Sequence, residues 1–290
     1  MIRTATAYDI LDLKKIWDSC FDDPINYIDF VFDKLASPND AIVYEEHGVI
    51  VSMLFMISTK FVYKDEEAEA IYILGAATAK QYQNQGYMTY LLEYAENLSR
   101  QRGVQLMVLV PGEQYLYGYY KKRGYSADFT VRRLKLKPIM IESVPPLDEP
   151  LIIDRASPNI IHAIREEALA EQPHIQWSVD KIKILMEDSF IYGDHVAVYS
   201  GKNGKAYAFY RMEGRKLFIK ESLADGEDIH LSFLKALVRE YHAKGVILTL
   251  PTRSTLFMHE GEVVPYGMAK PLNIKSYLGD LEPYMNLMFD

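Results

Sequence analysis

Apolar residues at helical spacing open the chain. Ile10, Leu13 and Trp17 recur on one face of a helix, and Thr6 followed by Asp9 three residues later is a typical helix start. The pattern predicts an amphipathic helix that buries one side against the rest of the protein.

Short apolar runs separated by turn residues follow this helix. The run over 41–55, interrupted by one turn, predicts a β-hairpin, and the run over 71–78 predicts a further strand. Apolar residues on one face between 88 and 98 predict a second helix, which ends where Arg102 and Gly103 supply a basic residue and a glycine. This mixture of helices and strands indicates an α/β or α+β fold.

Prolines mark a boundary near the middle of the chain. Those between residues 136 and 150 leave no room for a helix of ordinary length, and we interpret residues 138–150 as a linker. After it the order of elements repeats as helix, hairpin, strand, helix and strand. We therefore expect two tandem copies of one fold, a first half (residues 1–137) and a second half (residues 151–290).

The composition narrows the class of protein. The 290 residues, 49% hydrophobic and 25% charged, suffice for two domains that each bury a core. The net charge of −8 repels nucleic acid and anionic membranes, no apolar run reaches the roughly 20 residues of a bilayer span, and no secretory leader opens the sequence. The single cysteine, Cys20, cannot form an internal disulfide. We expect a cytoplasmic protein without nucleic-acid or membrane partners, and the sequence leaves open whether it forms a homo-oligomer.

A polar loop between a predicted strand and a predicted helix carries the first candidate chemistry. A helix start leaves about four backbone N–H groups without intrahelical partners and carries partial positive charge, and the glycine at 86 lets the backbone approach a ligand. These features predict a pyrophosphate site formed by Gln83, Asn84, Gln85, Gly86, Tyr87, Met88 and Thr89. The loop lacks the ending of a P-loop and the three glycines of a dinucleotide fingerprint. The alternative is a polar loop that only caps the helix.

A second segment gives the loop a family context. It reads Tyr119-Tyr120-Lys121-Lys122-Arg123-Gly124-Tyr125. Together with residues 83–88 it resembles the two signature regions of the GNAT superfamily of acyl-CoA-dependent N-acetyltransferases, Gln/Arg-x-x-Gly-x-Gly/Ala and aromatic-Tyr-x-x-x-Gly-aromatic. The repeated element order adds some likeness to the tandem, Eis-like relatives. Met88 stands where the family usually has glycine or alanine, and the loop has no arginine, so its hold on phosphate would rest mainly on backbone amides.

The resemblance implies a fold and a donor substrate. The fold would be a central mixed, mostly antiparallel sheet flanked by helices, in which two strands part to admit the pantetheine arm of acetyl-CoA. The main chain of Ala76, Ala77 and Thr78 would bind pantetheine, and the amides of residues 85–89 would bind the pyrophosphate. The small residues over 75–77 fit this arrangement, with close packing of a helix as the alternative explanation. No metal is implied.

The resemblance also implies a reaction, the direct attack of a primary amine of a small molecule or peptide on the thioester. Tyr120 occupies the position of the family's general acid, and a phenol is a suitable proton donor to a thiolate. The family's frequent glutamate base is replaced by Tyr72. In Eis-like relatives the chain-terminal carboxylate reaches the active site, which makes Asp290 the candidate base. Glu67, Glu69 and Glu113 are other carboxylates near the predicted site.

The second half differs from the first at the corresponding helix start. There the sequence is Asp225-Gly226-Glu227-Asp228, and carboxylates would repel a pyrophosphate. We expect a degenerate copy that binds no coenzyme and either shapes the acceptor pocket or braces the first half. The negative net charge favours a cationic acceptor such as a polyamine or aminoglycoside. Two alternatives stay open, a non-catalytic acyl-CoA-binding regulatory module and a nucleotide-binding protein of unrelated fold. The histidines show no metal-ligand spacing.

Overall fold

The computed structural model describes residues 1–64, 66–273 and 281–289. The helices in this part of the chain are α1 (Ile10–Cys20), α2 (Ile25–Phe30), α3 (Tyr87–Gln101), α4 (Gln114–Lys121), α5 (Pro158–Ala168), α6 (Val179–Ile191) and α7 (Glu227–Glu240). The strands are β1 (Ile2–Thr4), β2 (Ala41–Glu46), β3 (Val49–Tyr63), β4 (Glu66–Thr78), β5 (Leu106–Leu109), β6 (Ser126–Leu136), β7 (Ile152–Ile153), β8 (His174–Gln176), β9 (His195–Gly201), β10 (Gly204–Glu213), β11 (Lys216–Ala224), β12 (Gly245–Pro251) and β13 (Glu262–Pro271). A π-helical turn (Val31–Leu35) follows α2, and short 3₁₀ turns connect several of the other elements.

The start of α1 follows the pattern read from the sequence. The backbone N–H of Thr6 donates to a carboxylate oxygen of Asp9 at 2.7 Å, as in a capping box. Arg3 on β1 also pairs with Asp9, at 2.8 Å, and holds the pKa of that carboxyl well below its usual range. Leu13 and Trp17 point from the helix into the core. The predicted amphipathic helix is confirmed.

One continuous sheet runs through the molecule. Its strand order is β1-β2-β3-β4-β5-β13-β6-β12-β11-β10-β9-β7, with β8 added beside β3. Neighbouring strands are antiparallel except for two parallel pairs, β4–β5 and β11–β12. The predicted mixed, mostly antiparallel sheet is confirmed.

The strands of the two halves interleave at the centre of this sheet. β13, which lies far along the chain in the second half, pairs with both β5 and β6 of the first half. β6 in turn pairs with β12. The division at residues 137 and 151 therefore follows the order of elements along the chain, whereas the hydrogen bonds of the sheet cross it. That the two halves are copies of one fold stays a prediction.

Helices cover both faces of the sheet. On one face, α1, α2, α5 and α6 share a single buried cluster with the segment Tyr284–Phe289. On the opposite face, α3 and α4 pack over the first half and α7 packs over the second. Since the first cluster spans both halves, the burial of apolar side chains joins them as the sheet does.

Candidate active site

Two parallel strands part near the middle of the first half. β4 pairs with β5 only at Ala70–Tyr72, opposite Leu106–Val108, although β4 continues to residue 78. Beyond Tyr72 the register between β4 and β3 shifts at a bulge, which strengthens the local twist. Gly75 lies at the bulge with φ +59°, and a Cβ there would lie 2.3 Å from the ring of Trp17. The glycine is therefore explained by helix packing, the alternative left open above, and the bulge turns the end of β4 away from β5.

Side chains hold the end of β4 in place. The hydroxyl of Ser52 donates to the carbonyl oxygen of Ala77 at 2.9 Å. The carbonyl oxygen of Thr78 accepts the thiol of Cys20 at 3.2 Å and the amide of Gln83 at 3.1 Å. Ala76, between these anchors and the bulge, is half-buried. The three residues predicted to bind pantetheine thus lie on an edge that is fixed before any ligand arrives.

The start of α3 lies directly after this edge. Asn84 and Gly86 adopt left-handed backbone conformations, with φ 62° and 90°, and they turn the exposed loop into the helix. No side chain of the described residues caps this helix start, and its first turn carries no acidic residue. The first amides of α3, at residues 87–89, therefore have no intrahelical partners and lie at the positive end of the helix dipole. This geometry suits an anion.

An arginine from the second motif lies against the first turn of α3. The guanidinium of Arg123 stacks over the ring of Tyr119 at 3.4 Å and donates to the Tyr119 carbonyl oxygen at 2.8 Å. Its Nε donates to the hydroxyl of Thr89 at 3.2 Å. The loop itself has no arginine, and the motifs did not predict that this arginine would contact the helix start. Its sequence signal was the basic run before Gly124, but only the packing of α4 beside α3 brings the charge to the loop.

Tyr120 projects from α4 into the buried cluster beside β5. It is 8% exposed and packs edge-on against Tyr119 and Tyr125, with ring centroids 5.3 and 5.8 Å apart. Met107 and Leu109 of β5 belong to the same cluster. Burial raises the pKa of the Tyr120 phenol well above its usual value of about 10. The side chain therefore stays protonated at every physiological pH, which a proton donor requires.

The segment Tyr284–Phe289 is buried next to the same pair of strands. The hydroxyl of Tyr72 donates to the carbonyl oxygen of Phe289 at 2.8 Å, and the indole of Trp177 donates to that of Leu287 at 3.1 Å. Asp290 lies outside the described residues. The other carboxylates considered above, Glu67, Glu69 and Glu113, are exposed to solvent.

The second half contains a corresponding divergence. β11 pairs with β12 only at Lys216–Ile219, and the register between β11 and β10 then shifts at a bulge. Here the amide of Asn286 donates to the carbonyl oxygen of Lys220 at 2.6 Å, and the hydroxyl of Tyr284 donates to Glu221 at 2.8 Å. The first turn of α7 carries Glu227 and an aspartate. Side chains of the segment Tyr284–Phe289 thus contact this part of β11, and the adjoining helix start is acidic.

A cavity of about 590 Å³ lies between α6 and the sheet, on the face that carries the segment Tyr284–Phe289. Its walls come from α6 and the turn after it, from β10, β11 and β12, and from Arg133, Tyr266 and Asn286. The carbonyl oxygen of Tyr266 accepts the hydroxyl of Tyr117 at 3.0 Å, and Tyr117 belongs to the same helix as Tyr120. Tyr266 therefore contacts both the cavity and the helix that carries the candidate acid.

Two further searches of the described ranges gave negative results. No three His, Cys, Asp or Glu side chains in 1–64, 66–273 and 281–289 are grouped so that they could hold a metal ion. Over the same ranges, no helix combines the length and apolar character that crossing a bilayer requires.

Comparison with known proteins agrees with this geometry. Residues 1–127 match the family described as an acetyltransferase (GNAT) domain. The match covers both motifs and confirms the resemblance to the GNAT superfamily that they predicted. A search of curated protein sequences gave no match.

Solved structures extend the similarity to the whole fold. A probable N-acyltransferase from Enterococcus faecalis V583 superposes with a TM-score of 0.76 at 13% identity, over 94% of this chain and 73% of that one. A GCN5-related N-acetyltransferase from Anabaena variabilis gives 0.75 at 15% identity, with the same coverage. Eis1 from Mycobacterium abscessus gives 0.71 at 11% identity, over 94% and 74%. The resemblance to Eis-like relatives therefore holds for the fold.

Proposed function

We propose that this protein transfers the acetyl group of acetyl-CoA to a primary amine. The observation that carries the proposal is the uncapped start of α3 at the point where β4 and β5 part. An anionic diphosphate would bind the first amides of α3, with the charge of Arg123 beside it, and the pantetheine arm would lie along Ala76–Thr78.

The reaction would proceed by direct attack. A neutral amine forms a bond to the thioester carbonyl carbon, the carbon–sulfur bond breaks, and the amine gives up a proton. Tyr120 would supply the proton that the departing thiolate takes, because its buried phenol stays protonated and lies beside β5. An alkylamine has a pKa near 10.4, so a base must accept its proton first.

Asp290 is the proposed base. It follows Phe289, whose carbonyl oxygen accepts the Tyr72 hydroxyl on β4. Extending the chain by a few residues past 290 should reduce turnover strongly and leave the melting temperature unchanged. Full turnover in the extended protein would exclude this role.

The function itself is tested with coenzyme and a panel of amines. Calorimetry should show binding of both coenzyme A and acetyl-CoA, and a thiol-release assay should show amine-dependent turnover. Binding without thiol release across the panel would favour the regulatory acyl-CoA-binding module instead. Stabilisation by ATP or NAD but not by acetyl-CoA would contradict both acetyl transfer and the acyl-CoA-binding module. A ligand raises the stability of the protein only if it binds the folded state.

A further inference from the structure

The walls of the 590 Å³ cavity carry charges of both signs. On the sheet side they include Arg133 of β6, Lys220 of β11 and Arg211 of β10, and on the helix side they include Asp188 and Asp194. Three cations against two carboxylates make this lining slightly positive, whereas the whole chain carries −8. The expected cationic acceptor rests on the net charge alone, and the charges that line this cavity do not support it.

The pairing of the strands explains why the cations share one wall. Arg133 lies opposite Thr249 of β12, and Phe218 of β11 lies opposite both Ile247 of β12 and Arg211 of β10. Residues directly opposite each other, and residues two apart on a strand, share a face of the sheet. These side chains therefore form one surface, and α6 faces it across the cavity.

Arg133 is an exposed cation on this wall for which the described residues supply no anionic partner. Its guanidinium has no ion-pair or hydrogen-bond partner among the described residues. Arg211, in contrast, pairs with Glu213 at 2.7 Å and lies 4.0 Å from Asp194. The charge of Arg133 also acts on the Tyr117 hydroxyl, where it partly offsets the rise in pKa that burial causes. Arg133 therefore lies close enough to Tyr117 of α4 for its charge to act on that hydroxyl.

The two carboxylates that line the cavity are largely closed to solvent. Asp188 is 3% exposed and Asp194 is 8% exposed. Carboxylates at such depth attract an ammonium group more strongly than surface carboxylates do, because water screens them less. The apolar parts of Phe218 and Tyr266 also line the cavity. A volume of about 590 Å³ is within the usual range for small-molecule sites.

We infer that the cavity binds a dipolar small molecule, one that carries both an amine and a carboxylate or phosphate, with the anionic group on Arg133 and the cationic group facing Asp188 and Asp194. This site goes beyond the proposed function and does not depend on acetyl transfer. Arginine suits such anions because its planar guanidinium binds two oxygens at once.

Matched pairs of ligands test the inference by calorimetry on the full chain. Tyrosine and tyramine, and lysine and cadaverine, differ by a carboxylate, and O-phosphoethanolamine and ethanolamine differ by a phosphate. We expect the anionic member of at least one pair to bind at least tenfold more tightly. A preference within the first two pairs identifies a carboxylate, and a preference within the third identifies a phosphate. Equal binding within every pair, or tighter binding of the plain amines, would overturn the inference.

Substitutions then test the role of Arg133. Arg133→Gln should bring the affinity ratio of the preferred pair close to one, and Arg133→Lys should retain part of it. Arg155→Gln removes an exposed arginine outside the cavity and should leave the ratio as in the wild type. An unchanged ratio in Arg133→Gln would refute the assignment. Selective binding of the anionic member without thiol release would support the dipolar site independently of acetyl transfer.

Discussion

The two places where parallel strands part share a topology and differ in what lies beside them. At the divergence of β4 and β5, α3 begins with a glycine and no acidic residue, and Arg123 contacts its first turn. At the divergence of β11 and β12, α7 begins with Glu227 and Asp228. The same strand geometry therefore presents an anion-attracting helix start in one half and an anion-repelling one in the other.

The two sites also differ in occupancy. In the second half, Asn286 and Tyr284 already bond to β11 beyond its pairing with β12. In the first half, β4 beyond Tyr72 has no strand of the described chain on the β5 side. No helix lies between β12 and β13 to correspond to α4, since residues 252–261 form turns. A shared fold thus does not imply a shared ligand, because the charges and side chains beside the diverging strands decide what can bind.

Replacing Tyr120 gives the largest expected effect. If the chemistry belongs to the first half alone, Tyr120→Phe should lower kcat at least 100-fold, because general-acid catalysis contributes on the order of 10² to 10⁴. Binding of acetyl-CoA, measured by calorimetry, should stay within a factor of about two.

The control is Tyr115→Phe on the same helix, where the side chain is 74% exposed. It should keep full turnover. Wild-type turnover in Tyr120→Phe would show that this phenol is not the general acid. The chemistry could then no longer be assigned to the first half on the ground of Tyr120.

Acid should weaken the protein through a group that lies in the second half. His230 of α7 is buried, its Nε2 is 2.8 Å from the hydroxyl of Ser222, and burial lowers its pKa to about 4. The unfolded chain, with a pKa near 6.5, takes up a proton first as the pH falls. Stability is therefore intact above about pH 6.5 and is lost as the pH falls towards 4, by about 2 kcal/mol at pH 5.

Urea unfolding at pH 7 and pH 5 checks this, with His230→Gln as the uncharged reference. The wild type should lose about 2 kcal/mol more than the variant between the two pH values. Equal losses would contradict the assignment to His230. Hydrogen exchange should show α7 and β11 opening before α3 and β4.

Two substitutions of matched size at Gly86 test whether an acidic residue at the start of α3, like those at the start of α7, weakens the binding of acetyl-CoA. Gly86→Asp and Gly86→Asn share a size and tolerate the left-handed backbone, and a Cβ there meets only the ring of Tyr90 at an ordinary 3.6 Å. The two variants differ in one negative charge. Gly86→Asp should bind acetyl-CoA about tenfold more weakly than Gly86→Asn in low-salt calorimetry, because the carboxylate competes with the diphosphate.

The difference should shrink at high salt, which screens exposed charges. Equal affinities of the two variants at low salt would show that the first turn of α3 does not hold the diphosphate. The contrast with α7 would then have no bearing on coenzyme binding.

Local patterns predicted much of the fold, and the misses have physical causes. The apolar pattern predicts that the hairpin strand ends at residue 55 and that the next strand begins at 71, whereas β3 runs to Tyr63 and β4 begins at Glu66. Polar residues such as Lys60 and Glu67 interrupt the apolar runs there, and in the structure these two exposed side chains pair with each other. The short helix α2 was also missed, since six residues hold less than two turns of apolar periodicity.

The sequence by itself determined the features that depend on neighbours along the chain: the start of α1, the glycine turn into α3 and the motif that carries Tyr120. Capping, helix dipoles and left-handed turns act over a few residues, so their residue types can be read directly. Only the tertiary structure decided the rest. It placed β13 between β5 and β6, brought Arg123 to Thr89, and set Arg133 across a cavity from Asp188. These placements bring together residues from 34 to 165 positions apart, and the burial of apolar surface, which does not depend on sequence separation, drives them.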